Sequence, residues 1–217
     1  MTDFVEARKA MVDCQVRPSD VTSYAIIEAM LAVPREEFVP GPRQAVAYAE
    51  ADIPLTGDRM LMAARVFAKM LESASIGPDD LVLDVCPATG YSTAVLSRLA
   101  GAVVAAEPDA DLGAKLQANM TAMELDNVLV ADPADGLGAA ANGPYDVIMV
   151  NTGLEYVPEA LSDQLKDGGR LVAVFMEGPS GQCRVQIRSG DQISERYMFD
   201  ATANVLEGYH KDAEFAL

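Results

Sequence analysis

The sequence contains no tryptophan, one histidine and three cysteines in 217 residues, and its acids outnumber its bases by 33 to 16. Each shortage removes a class of function. Cys14, Cys86 and Cys183 are odd in number and far apart, so they form neither a disulfide framework nor a thiolate metal cluster, and they read as reduced thiols. His210 stands alone in a polar tail, and no metal site is expected. The net charge of −17 and a pI near 4.3 would repel a phosphate backbone, which argues against a nucleic-acid partner. No apolar run approaches the ~20 residues needed to span a bilayer. The opening Met1-Thr2-Asp3-Phe4-Val5-Glu6 is acidic and has no signal-peptide core, so the expectation is a cytoplasmic protein off the membrane. There is no internal repeat or low-complexity tract. We therefore expect a single domain over residues 1–217, with a helical cap at 1–75 and a sheet core at 76–217.

What is present centres on Leu81 to Tyr91. Leu81-Val82-Leu83-Asp84-Val85 is a short apolar run of the length of a strand buried on both faces. A tight turn, Cys86-Pro87-Ala88-Thr89-Gly90, follows. Tyr91 to Leu99 then repeats apolar residues at helical spacing, and Ala102 to Ala106 is a second apolar strand ending on Glu107. Strand, turn, helix and strand make the first βαβ unit of a nucleotide-binding α/β sheet, and an acid about twenty residues beyond the turn can bond a ribose diol. Glycine is scarce where such a turn uses it: only Gly90 remains, with Cys86 and Ala88 at the other two positions and Pro87 lacking a backbone donor.

Before this unit, helices are expected over residues 2–16, over 20–32 with Ser19 or Asp20 as N-cap, and over 60–75, where Met60, Met62 and Met70 would share an apolar face. Residues 51–58 read as a loop. After it come a helix from Ala110 to Met123, a strand at Val128 to Ala131, and a strand from Tyr145 to Asn151. A short helix from Glu159 and a strand from Arg170 to Phe175 follow. Cys183 to Ile187 and Ile193 to Phe199 alternate about Ser189-Gly190-Asp191, as in an antiparallel hairpin. A mostly parallel, Rossmann-like α/β sheet finished by such a hairpin suits an S-adenosylmethionine-dependent methyltransferase better than an NAD dehydrogenase.

Several stretches together resemble the protein-L-isoaspartate O-methyltransferase family. They include Met11-Val12-Asp13-Cys14-Gln15-Val16, Ala29-Met30-Leu31-Ala32-Val33-Pro34-Arg35-Glu36-Glu37-Phe38-Val39-Pro40, Ala47-Tyr48 and Ile53-Pro54-Leu55. Gly90-Tyr91-Ser92-Thr93-Ala94, Asp126-Asn127-Val128, Pro144-Tyr145-Asp146 and Gln164 to Val172 continue the likeness. The resemblance implies methyl transfer from S-adenosyl-L-methionine to the side-chain carboxylate of an isoaspartyl protein or peptide, or to a small carboxylate. The ester formed would then cyclise to a succinimide, a step in protein repair. It also implies cofactor-binding roles for Asp84, Cys86, Ala88, Gly90, Tyr91, Glu107 and Asp135, with Asp132 as the alternative to Asp135. Asn151 and Thr152, at a strand's C-terminal end, are candidates for the acceptor side.

Three segments depart from the family pattern. Met62 falls where the family carries the serine that orients the acceptor, and a thioether cannot donate a hydrogen bond. Pro133-Ala134-Asp135 replaces a Gly-Asp-Gly loop, and Cys86 and Ala88 replace two glycines. These departures leave a second expectation open, a catalytically degenerate paralogue kept as a binding module.

Overall fold

The structure is a computed structural model describing residues 3–132 and 138–211. α1 (Phe4–Met11) is capped by the Asp3 carboxylate, which accepts from the amides of Val5 and Glu6. It runs on through a π-helical turn, Val12–Val16, and a 3₁₀ turn, Arg17–Ser19. Asp20 then takes a left-handed φ of 63°, which ends the helical run. α2 therefore begins at Tyr24 and ends at Ala32 with Ser23 at its N-cap position, and the caps expected at Ser19 or Asp20 are corrected.

The expected helix over 60–75 is also corrected. Ile53–Thr56 (β1) and Arg59–Leu61 (β2) pair as an antiparallel hairpin about Gly57, at φ +52°, and Asp58. α3 spans only Ala64–Ala74. The Asp52 carboxylate accepts the Ala63 amide at 2.7 Å and so fixes where the chain leaves the hairpin. The part of the cap placed at 1–75 therefore carries a hairpin as well as helices, and of the three methionines only Met70 lies on a helix.

The main sheet runs in the order Val128–Ala131, Ala102–Ala106, Leu81–Val85, Tyr145–Leu154, Leu165–Glu177, Ser180–Ser189 and Gln192–Asp200. Its parallel strands are β3 (Leu81–Val85), β4 (Ala102–Ala106), β5 (Val128–Ala131), β6 (Tyr145–Leu154) and β7 (Leu165–Glu177). β8 (Ser180–Ser189) and β9 (Gln192–Asp200) close it as the expected antiparallel hairpin. α4 (Tyr91–Leu96), α5 (Ala110–Ala122) and α6 (Glu159–Ser162) connect parallel strands. This is the Rossmann-like methyltransferase fold.

Side-chain alternation along the strands gives the sheet two buried faces. Val82, Val103, Val147 and Val172 share one core with the cap, α3, α4 and α5. Leu83, Val104, Ile148 and Leu171 face the other way, where α6 and Tyr209 cover them. The cap and the sheet thus share a core. The C-terminal ends of β3, β4 and β6 come together under the β1–β2 hairpin. Among the described residues no helix is long and apolar enough to cross a membrane, and no group of three or more His, Cys, Asp or Glu could hold a metal.

Candidate active site

Asp84 is fully buried at the end of β3. One carboxylate oxygen accepts from Ser92 Oγ at 2.8 Å and Thr93 Oγ1 at 2.6 Å, and the other accepts from Asn151 Nδ2. This acid therefore ties the first turn of α4 to β6. Burial pushes its carboxyl up to about 7, against the three hydrogen bonds, which favour the charged form.

The turn beyond it needs left-handed backbone three times. Cys86 and Ala88 both have φ of +56°, and Gly90 has +96°. A Cβ at Gly90 would meet Leu116 Cδ1 at 2.5 Å and Met120 Cε at 2.9 Å, so an alanine there would displace two side-chain ends as well as take a left-handed φ. At Cys86 and Ala88 the chain keeps a glycine-like path with side chains that oppose it by roughly 1 kcal/mol each. The Cys86 thiol is buried and raised to about 12 by desolvation, with a hydrogen-bonding interaction to Tyr209, so it is not an activated nucleophile. Tyr91 is corrected as a pocket side chain. Its ring packs edge-on against Phe38 at 5.7 Å and lies under the Arg35 guanidinium at 4.7 Å, facing the cap.

Glu107, 1% exposed, ends β4 as expected, but four donors already converge on its carboxylate. Arg59 of β2 is bidentate on it, with Nη1 on Oε1 and Nη2 on Oε2 at 2.6 Å. The Ala88 amide donates to Oε2 at 2.7 Å and the Asp109 amide to Oε1 at 3.0 Å. Arg59 Nη2 also donates to the Cys86 carbonyl at 3.0 Å, which joins hairpin, turn and acid. Burial disfavours the Arg59 charge, yet the bonds and charge of Glu107 outweigh it and leave its pKa raised.

Arg59 itself, with Met62, Asn151, Thr152 and Asn204, lines a void of about 10 Å³, room for about one water. Met62 lies outside any helix and is buried, and its carbonyl accepts from the fully buried Arg35 at 2.6 Å. The Thr152 hydroxyl donates to the Asn204 carbonyl at 2.7 Å. Glu107, Ala110, Gly113, Ala131 and Asp132 line a separate groove of about 400 Å³, which brings Glu107 and Asp132 together. Asp135 lies outside the described residues. Sequence reasoning missed Arg59, Ser92, Thr93 and Tyr209. Ser92 and Thr93 were readable as hydroxyls directly after the turn, whereas Arg59 carried no local signal beyond the Gly57-Asp58 turn that precedes it.

A family model described as Protein-L-isoaspartate(D-aspartate) O-methyltransferase (PCMT) matches residues 6–203. The chain belongs to the protein-L-isoaspartate O-methyltransferase family. A protein of that name from Methylorubrum extorquens is 35% identical over 197 residues, covering 89% of this chain and 85% of the relative. One from Methanoregula boonei is 34% identical over 167 residues, 77% of each. A solved protein-L-isoaspartate O-methyltransferase superposes with a TM-score of 0.82 at 23% identity over 93% of this chain, which spans 66% of that protein's length. A putative Plasmodium falciparum member, solved with S-adenosyl-L-homocysteine, gives 0.77 at 16% identity over 95% of this chain and 99% of its own. Both structures match in fold.

The residues that would meet such a donor are of the right kind but not in the right arrangement. With Arg59 and two amides on it, Glu107 has no acceptor position left for a ribose diol, since a carboxylate offers about four. The void beside Asn151 and Thr152 is too small for a methyl acceptor. As folded, this family member is closed.

Proposed function

We propose that the chain is an S-adenosylmethionine-dependent carboxyl O-methyltransferase acting on isoaspartyl residues of proteins or peptides in the cytoplasm, and that residues 1–217 form one such unit. The observation that carries this reading is Glu107 at the end of β4. It stands one strand over from Asp84 and the Cys86-to-Gly90 turn, and lines a groove shared with Asp132. Asp84 holds the turn's shape, and Gly90, Ala88 and Cys86 supply backbone close to a ligand. Asn151 and Thr152 stand on the acceptor side. The acceptor carboxylate is itself the nucleophile, so the protein's task is to align it and exclude water. The named relatives favour this catalytic reading over a scaffold that has lost its chemistry.

The test is incubation with radiolabelled S-adenosylmethionine and a peptide pair differing only in isoaspartyl against aspartyl linkage. We expect base-labile label on the isoaspartyl peptide alone. Label on neither, at millimolar peptide, removes the proposal.

A further inference from the structure

We propose that Arg59 is exchanged between two carboxylates: it closes Glu107 in the free protein, and donor binding transfers it to the carboxylate of the methyl acceptor. The proposal rests on the methyltransferase reading above and deepens it. Three observations carry it. First, the Arg59 guanidinium covers both Glu107 oxygens that a ribose diol would use, and the Ala88 and Asp109 amides hold the same oxygens from behind. Those amides belong to the turn and to the N-cap residue of α5, whereas Arg59 comes from a three-residue strand paired only within its own hairpin. Arg59, which supplies two of the four donors, is the group that can leave.

Second, the ion pair links two spaces: Glu107 lines the groove and Arg59 lines the water-sized void beside Met62, Asn151 and Thr152, so the guanidinium already stands at the acceptor side. Third, the acceptor side lacks charge complementarity without it. An incoming carboxylate meets Asp52 and Asp58 on a protein of net charge −17, and Arg59 is the sole cationic side chain among the described residues lining that void. Met62 supplies no donor there, while a guanidinium binds a carboxylate through two parallel N–H groups. Once a ribose diol satisfies Glu107, Arg59 would lose its partner and meet the substrate's carboxylate, so the donor would bind first and the acceptor second.

The experiment measures S-adenosylhomocysteine affinity by calorimetry, and isoaspartyl-peptide affinity with and without S-adenosylhomocysteine, for wild type and Arg59→Ala. The exchange predicts that Arg59→Ala binds S-adenosylhomocysteine at least tenfold more tightly than wild type. It also predicts that peptide affinity rises at least tenfold on adding S-adenosylhomocysteine in wild type and not in the variant. Equal or weaker S-adenosylhomocysteine binding by Arg59→Ala overturns the exchange and leaves the methyltransferase reading intact, as does peptide affinity that ignores the donor in wild type or still responds to it in the variant. Binding by neither protein at millimolar ligand overturns both. Amide hydrogen exchange on wild type serves if the variant does not fold: S-adenosylhomocysteine should speed exchange at residues 57–61, and added protection there would overturn the proposal.

Discussion

Replacing Glu107 by glutamine tests whether the closed arrangement exists in solution. The carboxylate side chain is wholly buried and Arg59 is 10% exposed, so neither charge has water to fall back on. Glutamine keeps one acceptor oxygen and turns an amino group toward at least one of the four donors. A buried donor left without a partner costs about 1–3 kcal/mol. Removing one member of a buried ion pair costs about 3–5 kcal/mol, because the other charge stays behind. We expect Glu107→Gln to lose about 3–5 kcal/mol in urea denaturation, a midpoint shift of about 1–2 M at unchanged slope. Arg59→Met together with Glu107→Leu should recover part of this loss, since only the two amides then lack an acceptor, and the cycle through the single variants gives the coupling. A loss below about 1 kcal/mol for Glu107→Gln would mean that Arg59 does not rest on Glu107 and that the hairpin stands open.

Gly90→Ala should cost about 2–3 kcal/mol, from left-handed strain of about 1–2 kcal/mol and displacement of Leu116 and Met120, whereas Ala88→Gly at φ +56° should be near neutral; thermal denaturation of both variants checks the contrast. Iodoacetamide at pH 7.5 should label exposed Cys14 and spare Cys86 and Cys183, whose thiols burial raises to about 12; fast modification of Cys86 in native protein would contradict the closed turn. The Asp84 carboxyl, at about 7 in the fold against an ordinary value near 4, contributes stability below pH 4 that is lost as pH rises through 7. Asp84→Asn should flatten that slope, and carboxyl-carbon NMR of wild type should show a midpoint near 7.

The sheet was legible because buried parallel strands are mostly apolar runs of five or so residues, and Leu81 to Val85, Ala102 to Ala106 and the Val147-Ile148-Met149-Val150 centre of Tyr145 to Asn151 follow that pattern. The β8–β9 hairpin was legible from alternation and its Gly190-Asp191 turn. The β1–β2 hairpin was not, because Pro54 interrupts a four-residue strand and the methionines of 60–62 continue smoothly into the apolar face of α3. Asp84 and Glu107 stand at the strand ends where sequence placed them. Their partners could not be read: Arg59 lies 48 residues from Glu107 and Asn151 lies 67 from Asp84, and no local period encodes such a pairing. Tyr209, in a tail that reads as polar, is buried against Cys86 for the same reason.

Calorimetric titration of wild type and Glu107→Ala with S-adenosylhomocysteine tests the central claim, that the donor is held at the end of β4. We expect wild type to bind in the micromolar range, about 8 kcal/mol, and Glu107→Ala to bind at least tenfold more weakly with its fold intact by circular dichroism. Equal affinity in the two proteins would place the donor elsewhere and contradict the account.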